Sequence, residues 1–105
     1  GFDELLNALD QHDGVTRVFG AIANCAGLQD VAMIRGFTRL ECPTFRTSGQ
    51  DNPDLEALFA RSLQAGVIVI IEDIPNAPRD IPGQIIARLD PYPPRPAFIL
   101  YDLSP

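Results

Sequence analysis

A chain of 105 residues with a formal net charge of −6 has room for one domain around one core, and its acidity argues against the basic face that nucleic-acid binding requires. Its 8 Lys+Arg cations are all arginines, so Schiff-base chemistry, a P-loop lysine and a lysine-rich patch for anionic membranes are excluded. With 46% hydrophobic and 21% charged residues the composition is that of an ordinary globular protein, and no apolar run approaches the length of a membrane span.

Phe2, Leu5, Leu6 and Leu9 recur at helical spacing and predict an opening amphipathic helix, stopped by His12-Asp13-Gly14. Val15 to Ala23, rich in β-branched and apolar residues, reads as a strand ending near Asn24. Leu28, Val31, Ala32 and Ile34 predict a helix from about Gly27 to Arg35, ended by Gly36. Phe37 to Cys42 alternates apolar and polar residues as a half-buried strand does, and Pro43 closes it. Thr44 to Gln50 is a polar loop. Asp51-Asn52-Pro53 is the clearest helix start in the chain, a capping side chain followed by proline in the first turn. Leu55, Leu58, Phe59 and Leu63 supply that helix's buried stripe, and Gly66 ends it.

Val67-Ile68-Val69-Ile70-Ile71 is an unbroken β-branched run, the mark of a strand buried on both faces of a mostly parallel sheet. Pro82 at the front of Ile85, Ile86 and Leu89 predicts a further helix over Ile81 to Leu89. A rigid extended segment, Pro91-Tyr92-Pro93-Pro94-Arg95-Pro96, follows, and Ala97 to Tyr101 is the last strand. Strand and helix alternate over short loops. The expected fold is therefore a single α/β domain over residues 1–105: a four-stranded, mostly parallel, flavodoxin-like sheet with helices on both faces and an extra N-terminal helix.

In such a sheet ligands bind beyond the carboxyl ends of the strands. The residues expected there are Asn24 after the first strand, Glu72 and Asp73 after the isoleucine-rich strand, and Asp102 after the last. These are the candidate ligand-binding residues. The apolar run leading into Glu72-Asp73 has the look of a Walker B strand. With no phosphate loop in the chain, it reads more simply as a buried strand meeting solvent. Two adjacent carboxylates and one histidine, His12, do not make a metal site, and no cofactor is expected. His12 reads as a helix-end residue, solvated or capping carbonyls. Ser48, Ser62 and Ser104 lack a nucleophile-elbow context, so no catalytic residue is assigned. Thr47-Ser48-Gly49-Gln50 offers backbone N–H groups to an anion, or is a plain polar loop. Arg88, Pro91 and Pro94 have the spacing of a PxxP ligand, set against the plainer reading of a connector. Cys25 and Cys42 are expected to be reduced thiols in a cytoplasmic protein, a bridge between them being the alternative. No signal-peptide pattern is visible, and Gly1 in place of an initiator methionine fits a trimmed or excised domain.

The run of elements from Gly36-Phe37 and Leu40 through Leu55–Leu63, Val67–Ile71, Ile81–Leu89 and Pro96-Ala97-Phe98-Ile99-Leu100 resembles the F subunit of V-type and A-type rotary ATPases over residues 36–105. The chain departs from that family in its added segment Gly1–Gly14. It departs again in the uncharged turn Asn24-Cys25-Ala26-Gly27, where the family has an acidic one. The resemblance implies a non-catalytic regulatory module that docks on a protein partner through the region of Ile81, Gln84, Ile85 and Arg88. The competing expectation is a small ligand- or nucleotide-binding domain, enzymatic or not, working at the strand ends. A protein partner or a parent multidomain protein, self-association, and no membrane insertion complete the expected picture.

Overall fold

The computed structural model describes residues 1–12, 14–43, 57, 65–75, 77 and 81–104. The predicted loop Thr44–Gln50 and the predicted helix beginning at Asp51-Asn52-Pro53 lie outside the described residues, apart from Ala57 and the helix's end at 65–66.

The opening helix, α1 (Phe2–Asp10), turns Leu5, Leu6 and Leu9 inward, as their spacing requires. The chain then enters β1 (Arg17–Ala21), α2 (Cys25–Ile34) and the short strand β2 (Leu40–Glu41). After the undescribed stretch come β3 (Val67–Glu72), β4 (Gln84–Leu89) and β5 (Phe98–Asp102). These strands form one five-stranded sheet in the order β2-β1-β3-β5-β4. β1 runs parallel to both β2 and β3, whereas β5 is antiparallel to both β3 and β4.

The sheet is thus mixed and five-stranded, where four mostly parallel strands were expected. The difference lies in one segment. Residues 84–89, expected to be helical behind Pro82, form the outer strand β4. The physical reason is local and tertiary at once. Ile85 and Ile86 are β-branched and favour extended backbone. Gly83 lets the start of β4 close on β5: a side chain there would lie 2.5 Å from the Asp102 carbonyl oxygen. β4 and β5 then pair as a hairpin through the proline-rich connection, a route a helix over the same residues would not have offered. Ile86 is the extra residue of a bulge between Ile85 and Ala87.

β3 is buried along nearly its whole length, as its composition predicted. Ile68 and Ile70 face a core built with Leu5, Leu6, Leu9, Leu28 and Leu100, while Val67, Val69 and Ile71 face Phe19, Ala21, Ala77 and Leu103. Both described helices lie on the first of these faces, so the expectation of helices on both faces is met on one side only among the described residues.

Cys25 and Cys42 form a disulfide, with Cα atoms 5.8 Å apart. This corrects the expectation of reduced thiols. The bridge ties the first turn of α2 to the residue just after β2. It lies over β1 at Gly20, where an added Cβ would stand only 2.7 Å from the Cys25 sulfur. Arg17 and Glu41 join the same two neighbouring strands from outside, through hydrogen bonds of 2.8 and 3.1 Å. The Glu41 carboxylate, accepting from the guanidinium and attracting its charge, raises the Arg17 pKa above its ordinary value.

Candidate functional site

The strand order fixes where a ligand site would fall. From β1 the chain moves outward to β2 and later returns to the other flank of β1 as β3, so the direction of winding reverses between β1 and β3. A crevice opens at such a reversal, outside the carboxyl ends of the two strands. A cavity of about 270 Å³ lies at this position, lined by Ile22, Ala23 and Asn24 after β1 and by Glu72 at the end of β3. β5 begins at the same end because it runs antiparallel to β3. The β4–β5 connection therefore overhangs the crevice and adds Pro91, Arg95 and Pro96, and β5 itself adds Phe98. Phe2, from the start of α1, completes the apolar wall beside Phe98, with ring centroids 6.1 Å apart.

Each polar group here has a structural cause. Asn24 is the N-cap of α2, and its side-chain oxygen accepts from the Gly27 backbone N–H at 3.2 Å. Gly27 permits this approach, since a Cβ at that position would stand 2.6 Å from the Asn24 amide nitrogen. Glu72 reaches across the crevice and accepts from the Ala23 backbone N–H at 2.5 Å, joining the ends of β1 and β3. Gly1 is also at the cavity, its amine 3.9 Å from Glu4. Arg95 is exposed on the rim and has no ion-pair partner among the described residues.

Of the four residues expected at the strand ends, Asn24 and Glu72 are brought together in this cavity. Asp73 turns away and pairs with Arg88 at 3.1 Å. The same guanidinium hydrogen-bonds Asp90 at 3.1 Å. These two carboxylates, led by the hydrogen bond to Asp73, raise the Arg88 pKa above its ordinary value. Asp102 lies at the opposite pole of the sheet, because β5 is antiparallel and its carboxyl end pairs with the beginning of β3, Asp102 against Ile68. There its carboxylate accepts from the Ser104 backbone N–H at 2.9 Å. A second cavity, of about 280 Å³, lies at that pole, bordered by His12, Gly66 and Asp102.

The four expected partner-binding residues separate in a similar way. Ile81 packs against the second core cluster, and Arg88 is held by Asp73 and Asp90. Gln84 and Ile85 remain exposed on the outer strand, Ile85 at 60%. Arg88 lies in the paired strand β4 with its guanidinium held by Asp73 and Asp90, so it is not presented as the free basic residue that a PxxP ligand requires.

Sequence reasoning missed Phe2, Arg95, Pro96 and Phe98 as parts of the cavity. Their only signal was an arginine set between prolines immediately before the last strand. It becomes informative once that strand is known to start, rather than finish, at the ligand-binding end. Among the described residues no cluster of His, Cys, Asp and Glu could hold a metal ion, and no helix is long and apolar enough to cross a membrane. Comparison with family models, curated proteins and solved structures finds no match.

Proposed function

We propose that this domain is a small-ligand recognition module whose site is the crevice between the carboxyl ends of β1 and β3. One observation carries the reading: the apolar-walled cavity coincides with the point at which the sheet reverses its winding, where α/β proteins hold their ligands. The polar groups support binding rather than catalysis. The Asn24 side-chain oxygen and a Glu72 carboxylate oxygen are each engaged with backbone N–H groups, so they act as fixtures of the site. The Cys25–Cys42 bridge supports an oxidising surrounding for the working protein, in place of the cytoplasm suggested by composition. The test is a fragment screen followed by amide chemical shifts, with Ala23→Trp as the blocked control. Ala23 is exposed at the cavity wall, so the indole fills the site without disturbing the core. Binders should shift the amides of residues 22–24, 72 and 98 and lose affinity in the variant. Shifts confined to other regions would refute the reading. At a hundredfold excess over Kd a true ligand stabilises the fold by about 2.7 kcal/mol.

A second reading, a protein-interaction module of the kind the rotary-ATPase resemblance implies, is favoured by the exposed Ile85 on the outer strand β4. The docking element in this reading is a strand edge, not the helix face that the resemblance suggested. Ile85→Lys should abolish concentration-dependent association in sedimentation, whether with a co-purified partner or between copies. Association that survives the substitution rules out this edge.

A further inference from the structure

The geometry points to a ligand class for the crevice: a small monocarboxylate with an apolar body about one ring in size. This rests on the reading of the crevice as a binding site and goes one step beyond it. The argument begins with size. About 150 Å³ of apolar cavity accepts a benzene ring, so about 270 Å³ has room to seat a ring and one short polar arm. Phe2, Ile22, Pro91, Pro96 and Phe98 supply the walls for the apolar part.

The polar balance then selects the arm. The Asn24 oxygen is engaged with the Gly27 N–H, which leaves its amide N–H groups without an acceptor among the described residues. One oxygen of Glu72 is engaged with the Ala23 N–H. The Gly1 amine lies near Glu4. Arg95 alone among the charged groups of the wall has no partner among the described residues, whereas Arg17, Arg35 and Arg88 each have a carboxylate. The unspent capacity is the donor capacity of the Arg95 guanidinium fork and the Asn24 amide, set against one remaining acceptor oxygen of Glu72, and the donors call for an anionic acceptor. A carboxylate matches the guanidinium in two parallel hydrogen bonds. A single charge also suits a site that already contains Glu72, whose repulsion rises with each further negative charge on the ligand.

The experiment is a titration of the oxidised chain, followed by amide shifts and calorimetry, with three probes of one shape: phenylacetate, 2-phenylethanol and phenethylamine. The expected result is shifts at residues 22–24, 72 and 98, with phenylacetate about tenfold tighter than the alcohol. Arg95→Gln should erase this preference by lowering phenylacetate affinity about tenfold. Arg95 is exposed, so the variant keeps its fold, and Arg95→Lys should restore part of the preference. If all three probes bind at the crevice with equal affinity, or the amine binds best, the carboxylate assignment falls and the crevice reading stands. If no probe shifts these amides, both fall. Acetyl-Gly-Phe with a free carboxyl group distinguishes two sources of the same chemistry. Tighter binding than phenylacetate assigns the carboxylate to a peptide end, and weaker binding assigns it to a free acid.

Discussion

Reduction of the Cys25–Cys42 bridge should lower the stability of the domain by about 3 kcal/mol without unfolding it. The bridge spans a sequence separation of 17, and closing a loop of that length removes about 11 cal/mol/K of entropy from the unfolded chain, or about 3 kcal/mol at 25 °C. In the folded state the bridged ends have other anchors. β2 is paired with β1 in the register Val18 to Leu40 and Phe19 to Glu41, Arg17 grips Glu41, and Leu28 and Ala32 hold α2 in the core. The effect should therefore act mainly through the unfolded ensemble. With an unfolding entropy of about 220 cal/mol/K for a chain this long, about 3 kcal/mol corresponds to a fall in Tm of about 14 °C. Urea titrations of the oxidised and the thiol-reduced protein, followed by circular dichroism, are the assay. The reduced form should show a lower midpoint and a slightly steeper slope, because its unfolded chain is free to expand. Equal midpoints would refute the reasoning, and so would a reduced protein already unfolded at 25 °C, since the fold would then depend on the bridge for its native contacts.

Glycine substitutions test the close approaches around the parallel strands. Gly66 has φ +78° and a Cβ there would stand 2.6 Å from the Gly14 carbonyl oxygen, so Gly66→Ala should cost at least about 2 kcal/mol in urea unfolding. Gly20→Ala forces a methyl group against the Cys25 sulfur and should cost about 1–3 kcal/mol in the oxidised protein. The cost should be smaller by at least about 0.5 kcal/mol in a Cys25→Ala/Cys42→Ala background, where equal costs would place the strain elsewhere. Glu72→Ala removes the acceptor for the Ala23 N–H and should destabilise by about 1 kcal/mol, and Glu72→Gln, which keeps an acceptor, by less. Hydrogen exchange of the Ala23 amide, faster in the alanine variant than in the glutamine variant, is the direct readout.

The parts of the fold that were legible in the sequence are those in which local preference and tertiary demand agree. Leu5, Leu6 and Leu9 at helical spacing could only be an amphipathic helix. The run Val67 to Ile71, with no polar residue to expose, could only be a strand inside a layered core, and it is. Asn24 was placed at a strand end by the same logic and does sit there, as the cap of α2. The thiols were misread because pairing is a matter of Cα separation in three dimensions, which a gap of 17 residues does not disclose. One clue was present: Gly20 inside an otherwise apolar strand marks a place where something must come close, and that something is the Cys25 sulfur.

The segment after Pro82 had the larger consequence, because the direction of one strand decides which residues meet. Over Ile81 to Leu89 the same apolar positions satisfy a short helix or a half-buried strand, and proline suits the first turn of the former. Reading a helix there made the last strand parallel and sent Asp102 to the ligand-binding end. Pairing β4 with β5 reverses the last strand. Asp102 goes to the far pole, and Phe98, Pro96 and Arg95 come to the crevice beside Glu72. The reversal changes the chemistry as well as the address. A set of carboxylates is replaced by an apolar cleft in which Arg95 has no carboxylate partner among the described residues. A site with that composition selects for a ligand's anionic end and apolar body together, and the Arg95 variants separate those two contributions.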